Sequence, residues 1–184
     1  MRVILSLIFA VALICFRRTI SSLVSAQKLK KLDIVLFCGY VLLVLIITIG
    51  VRSYDDESIV NFNPFKSYSQ IIRTLIEGIQ SNAFLQRFRW VSAALEGYAL
   101  NILLFVPFGY LLPLVLTGAR NWWKAILIGF GFSLLIETIQ LTTRLGWFDA
   151  SDLLHNTIGT WIGWIIYKKV LAGGGQRGEA EIKQ

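Results

Sequence analysis

Charge is scarce in this chain. Only 16% of its 184 residues are Asp, Glu, Lys or Arg, 55% are hydrophobic, and the mean hydropathy is +0.65. A soluble domain has about 25% charged residues, so this composition excludes an ordinary water-soluble globule and leaves lipid as the fitting solvent. Cysteine is scarce too. Cys15 and Cys38 both fall inside apolar stretches, which argues against a disulfide framework or a metal site and reads them as small hydrophobes. The single histidine, His155, has no metal-ligand set around it, and at the entrance of an apolar run it reads as an interfacial or hydrogen-bonded residue. There is no phosphate-cradling glycine loop, no HExxH, and no Ser or Cys nucleophile with a paired base, so the standard hydrolase signatures are absent. No metal and no cofactor is expected.

What is present is apolar sequence in runs. Residues 34–51 are apolar throughout and long enough for a lipid-facing helix. Tyr98–Thr117 is a second such run, interrupted by Asn101, Pro107, Gly109 and Pro113, which predicts a kinked or partly unwound helix. Ala125–Thr142 contains Glu137 and Gln140, and Leu153–Tyr167 contains His155, Asn156 and two glycines before Lys168-Lys169. At the N-terminus, residues 3–16 are apolar but short, about 14 against the ~20 a span needs. Arg17-Arg18 follow this run and no Ala-x-Ala-like site closes it, so it reads as a retained span or anchor and not a signal peptide. The fold class is all-α: a polytopic transmembrane bundle of four or five helices, with interfacial amphipathic helices in a long outer loop.

The net charge of +7 and pI near 9.7 could suggest nucleic acid, but the basic residues flank apolar runs and form no continuous patch. They read as topology signals and contacts to anionic lipid. If all five runs span, Arg17, Arg18, Lys28, Lys30, Lys31, Arg120, Lys124, Lys168, Lys169, Arg177 and Lys183 share one side, expected to be cytoplasmic along with the C-terminus. The other side holds the segment 52–97, whose charges, Asp55, Asp56, Glu57, Glu77 and Glu96 included, nearly cancel. Within it, Ile71, Ile72, Leu75, Ile76 and Ile79, and then Phe84, Leu85, Phe88, Val91 and Leu95, recur at helical spacing, as expected of helices lying on the outer leaflet. Trp122, Trp123, Trp161, Trp164 and Tyr167 read as bilayer-belt residues. Three units result: 1–52 with two candidate spans and a basic loop, 53–169 with the outer loop and three spans, and a flexible cytoplasmic tail, 170–184.

A carboxylate inside a span is costly, roughly 2.5–3.5 kcal/mol for Asp at a helix centre, so Glu137 needs a partner or a wet cavity. Helical spacing puts Glu137, Gln140 and Arg144 on one face, with Arg144 able to reach back towards Glu137. Asp149 or Ser151 can cap the following helix, where Asp152 and Asn156 lie four apart. On this topology Asn101, Glu137, Gln140, Arg144, Asp149, Asp152 and Asn156 all fall in the outer half. They predict a polar pocket open to lipid headgroups, cell-wall intermediates or an amphiphilic drug. The alternative is a helix-to-helix polar clamp without chemistry. Gly159-x-x-x-Gly163 is expected to draw the two acid-bearing helices together.

Taken in order, Asn61-Phe-Asn63-Pro64-Phe65, Asn101-(x)3-Phe105-Val106-Pro107-Phe108-Gly109, Glu137-Thr-Ile-Gln140 and Arg144-(x)4-Asp149-(x)2-Asp152-(x)3-Asn156-(x)2-Gly159 resemble the VanZ-like family over roughly residues 58–168. The resemblance implies a small bacterial cell-membrane protein. The family is named for an accessory protein giving low-level resistance to the glycopeptide teicoplanin, and it has no established catalytic residues to carry over. The segment between Phe65 and Asn101 is longer here than in the founding member. The leading expectation is a protein that engages an amphiphile or cell-envelope component at the outer leaflet and contributes to glycopeptide resistance. The alternatives are an intramembrane enzyme acting on a lipid-linked substrate, with Glu137 or Asp152 as acid/base and Arg144 holding an anionic headgroup, and a proton-coupled transporter. Membrane lipids are expected partners and nucleic acid is not.

Overall fold

The computed structural model describes residues 2–50, 60–79, 84–146 and 148–181. Asp55, Asp56 and Glu57, which the sequence reading uses, lie outside the described residues, as do the side chains beyond Val170. The described residues fold as a bundle of six α-helices: α1 (Arg2–Ser21), α2 (Ala26–Leu45), α3 (Lys66–Ile79), α4 (Phe84–Val115), α5 (Trp122–Thr143) and α6 (Ala150–Glu181). Four of them, α1, α2, α4 and α5, are long and apolar enough to cross a membrane, and the chain is a polytopic membrane protein. The fifth expected run is helical as α6. Its His, Asn, Thr and Lys content keeps it below the apolarity of the other four, and it packs lengthwise on α4 in the most extensive helix pairing of the fold.

The first run is longer than its apolar core of 14 residues. Helix α1 continues through Arg17 and Arg18 to Ser21, because Arg17 has a partner: its Nε and Nη2 donate to the two carboxylate oxygens of Asp33 on α2, both at 2.9 Å. Both residues are buried. A bidentate pair of this kind neutralises the charges that would otherwise end a span. Cys15 and Cys38 are free and exposed on the outer surface of the helices.

Helix α4 differs from expectation in two ways. The segment from Phe84 to Leu95, expected as a separate interfacial helix, is the first part of α4 itself, and of the expected kink or partial unwinding at Pro107 and Pro113 the unwinding does not occur, since the helix runs through both. A proline removes one N–H and crowds the preceding turn. In the turn before Pro107 the Tyr40 hydroxyl of α2 donates to Leu104 O at 2.6 Å and ties the two helices together. The other interfacial segment is α3, joined to the start of α4 by the Arg87–Glu77 ion pair. Ile72, Ile76 and Ile79 on α3 remain exposed, as an apolar face turned to lipid requires.

The core gathers around α4, with Phe105, Phe108, Tyr110, Leu111 and Leu112 packed against Tyr40, Val44, Ile136 and Tyr167. Backbones approach closely where α4 meets α6. A Cβ on Gly159 would lie 2.2 Å from Ile102 O, and one on Gly163 2.0 Å from Val106 O. This corrects the expected role of the Gly159/Gly163 pair, which seats α6 on α4 and not on α5. Contact between α5 and α6 comes instead from Gly129, where a Cβ would lie 2.3 Å from Thr160 Oγ1. Tyr167, expected in the aromatic belt, is buried. The backbone of α6 stays helical to Glu181, past Gly173–Gly175 where the sequence suggests a flexible tail.

Candidate functional site

Where α2 ends, α5 ends and α6 begins, the chain gathers its buried polar groups. Helix α5 stops at Thr143 because Arg144 takes a left-handed conformation (φ 56°), uncommon for a residue with a Cβ and suited to ending a helix. The Leu145 N–H returns to Gln140 O at 3.1 Å. Arg144, the residue that ends the helix, is exposed. After the turn, a two-residue strand β2 (Phe148–Asp149) pairs in parallel with β1 (Val60–Asn61), aligning Asn61 with Asp149.

Asp149 ties three segments together. Its Oδ1 accepts the Ser151 N–H at 2.8 Å, which caps α6, and also Asn61 Nδ2 at 3.0 Å. Its own N–H donates to Glu137 Oε2 at 3.0 Å. Glu137 is 2% exposed, so this carboxylate holds the α5–α6 turn from inside. Asp152 accepts Asn101 Nδ2 at 2.7 Å, linking α6 to α4. Asn156 donates to Ser133 Oγ at 2.8 Å, linking α6 to α5. Gln140 donates to Thr48 O at 2.8 Å. Thr48 lies in a π turn, Ile46–Gly50, that widens the end of α2 and turns a backbone carbonyl towards α5. Six of the seven residues proposed from sequence thus take part in four sets of hydrogen bonds: Glu137–Asp149–Asn61, Asn101–Asp152, Gln140–Thr48 and Asn156–Ser133. Arg144 stands at the edge.

The sequence reading left out Asn61 as a site residue, and with it Thr48, Tyr68, Tyr98, Ser133 and the site role of His155. The Tyr68 hydroxyl lies 2.5 Å from His155 Nε2, and the Tyr98 ring stacks on the imidazole at 4.4 Å between centroids. Burial, with Tyr98 adding to it, raises the Tyr68 pKa above its ordinary value. The phenol and Nε2 share one hydrogen bond, and the imidazole tautomer sets which of the two donates. The sequence signal for this was a lone histidine one turn after Ser151 and three residues beyond Asp152. Nothing local ties it to a tyrosine 87 positions earlier.

Among the described residues, five buried side-chain atoms lack a protein partner, and four belong to this cluster: Gln140 Oε1, Ser151 Oγ, His155 Nδ1 and Asn156 Oδ1. Each such group costs roughly 1–3 kcal/mol unless something hydrogen-bonds to it. Two are acceptors, and the hydroxyl and the imidazole nitrogen can each donate or accept. No group of His, Cys, Asp and Glu suited to a metal ion occurs among the described residues.

A helical membrane protein with a buried polar cluster at one end of its bundle is thus the class that fold and site define. A profile of the VanZ/LLP1 family matches residues 3–172, and the chain belongs to that family. The match includes α1 and α2, which lie outside the 58–168 segment where the sequence motifs concentrate. No curated protein and no solved structure matches the chain.

Proposed function

We propose that this VanZ-family protein holds the polar part of an amphiphile or cell-envelope component in the cluster between α5 and α6, at the outer leaflet of the bacterial cell membrane, and thereby lowers glycopeptide susceptibility. One observation supports this reading above the others: four buried, unpartnered polar atoms, both donors and acceptors, sit on the same cluster. They suit a ligand group carrying both hydroxyl or amide hydrogens and carbonyl or hydroxyl oxygens. Placement at the outer leaflet, with the C-terminus cytoplasmic, rests on the excess of Lys and Arg at the opposite end of the bundle.

The carboxylates argue for binding over acid–base chemistry. Glu137 accepts a backbone N–H and Asp152 accepts an amide, so each is engaged in holding the architecture. An intramembrane enzyme using Glu137 or Asp152 as its acid/base would have to work through the second oxygen of a carboxylate that also holds the fold.

The test expresses the chain in a teicoplanin-susceptible bacterium and compares it with Glu137→Gln and Asp152→Asn at matched membrane abundance. The expected result is a raised minimum inhibitory concentration for the natural chain and loss of that increase in both variants. Unchanged resistance in both variants would show that the cluster does not carry the phenotype. A natural chain that leaves susceptibility unchanged would remove the resistance part of the reading.

A further inference from the structure

At the opposite end of the bundle from the polar cluster, a cavity of about 290 Å³ opens between the C-terminal end of α1, the N-terminal end of α2 and the last turns of α4. Its charged lining is Arg17, Lys30, Asp33 and Arg120, and Tyr167 of α6 and Thr117 form part of its wall. Three cations against one carboxylate leave it with two uncompensated positive charges. Arg17 is the buried member of the set, and Asp33 fixes its orientation by occupying Nε and Nη2. Nη1 has no protein acceptor among the described residues, and it belongs to a side chain that lines the cavity. Lys30 and Arg120 stand exposed at the rim, and neither pairs with a carboxylate among the described residues.

We propose that this cavity is a binding site for the phosphate group of an anionic phospholipid. Arg17 is held by Asp33 to present its free N–H groups to the phosphate oxygens, and Lys30 and Arg120 close over it from the rim. The geometry differs from the diffuse basic edge that fixes membrane topology. A guanidinium pre-oriented by a carboxylate keeps a defined donor pair aimed at an anion, and basic pockets between transmembrane helices are suited to phospholipid headgroups. The cavity has headgroup size, at the small end of ligand pockets. Apolar wall from Leu114 and Val115 continues from it along α4, where the acyl chains of a bound lipid would run. The site is separate from the polar cluster and does not depend on the function proposed for it.

The experiment takes the purified full chain in detergent micelles and measures retention of added phosphatidylglycerol or phosphatidylcholine by native mass spectrometry. A third arm adds inorganic phosphate as competitor. The variants are Lys30→Ala/Arg120→Ala, which strips the rim without touching the buried pair, and Lys168→Ala/Lys169→Ala. The second pair removes the same charge from exposed positions outside the cavity. Circular dichroism and gel filtration confirm that both fold. The expected result is preferential retention of phosphatidylglycerol, weakened about tenfold or more in the rim variant and unchanged in the control. Displacement by inorganic phosphate would show that the phosphate group alone is recognised, and resistance to displacement that the lipid as a whole is held. Both outcomes support the site. Equal loss in the two variants, or equal retention of the two lipids, would overturn it.

Discussion

Helices α1 and α2 are more apolar than α4 and α5, yet they bury the smaller share of their surface. The seam between α4 and α6 contains glycines, threonines, prolines and amides, and it is the most closely packed region of the protein. In water the order would be reversed, since apolar side chains leave solvent for the core. In a bilayer, lipid satisfies Leu, Ile and Val as well as protein does, so apolarity marks the surface that faces lipid. Small residues mark where backbones meet. The hairpin of α1 and α2 is closed internally by the Arg17–Asp33 pair and rests on the other helices through Phe37, Tyr40 and Val44 against α4 and Thr48 against α5, whereas the seam is continuous.

The largest expected effect comes from closing the seam. Gly163→Val places a Cβ 2.0 Å from Val106 O and 2.7 Å from Tyr110 N, both backbone atoms, and a branched side chain there cannot be relieved by a rotamer change. A cost of roughly 3 kcal/mol or more follows from overpacking against backbone, and folded protein should not be recovered from membranes. Normal yield with an unchanged melting curve would mean that α6 does not sit on α4 as described.

Breaking the hairpin should cost less than breaking the seam, and the cost should be separable from the polar cluster. Arg17→Ala removes one member of a buried bidentate pair and leaves Asp33 without its guanidinium. In a dry interior this costs roughly 3–5 kcal/mol. Asp33 lines the cavity at the basic end, so removing the guanidinium opens its carboxylate to water, and about 2 kcal/mol is expected, read as a lowered melting temperature in detergent. Restoring neutrality with Arg17→Leu/Asp33→Leu should recover most of it. If the double variant is no better than Arg17→Ala, the pair is not the link between α1 and α2.

The comparison also shows what the sequence could and could not convey. The polar residues of α4, α5 and α6 were legible as a set, because an Asn, a Glu or a Gln within an apolar run stands out against its neighbours. Alternation of the runs across the bilayer then places them at one end. The length of α1 was not legible, because Arg17 is tolerable only through an Asp 16 residues away. The tyrosine–histidine contact and the Asn61–Asp149 link join residues 87 and 88 positions apart, and no local pattern encodes them. The glycine motif was legible as a close approach, but not its partner. A Gly-x-x-x-Gly face is the same whichever helix lies on it, and α4 meets it through backbone carbonyls that leave no side-chain signature.

The smallest effect should come from a glycine on the loose side of the comparison. Gly39 lies inside α2, and a Cβ built there meets nothing within 4 Å, in contrast to Gly159 and Gly163 on the seam. Its φ is not positive, so alanine fits the backbone without strain. Replacing a helix-interior glycine by alanine then acts mainly on the freedom of the unfolded chain, worth roughly 0.5–1 kcal/mol in favour of the folded state. Gly39→Ala should therefore raise the melting temperature slightly and leave teicoplanin susceptibility where the natural chain sets it. Destabilisation at Gly39 would require a neighbour against this face of α2, such as a second copy of the chain packed through the hairpin. In that case the lipid-facing character assigned to α2 from its apolarity would have to be given up, while the α4–α6 seam would stand.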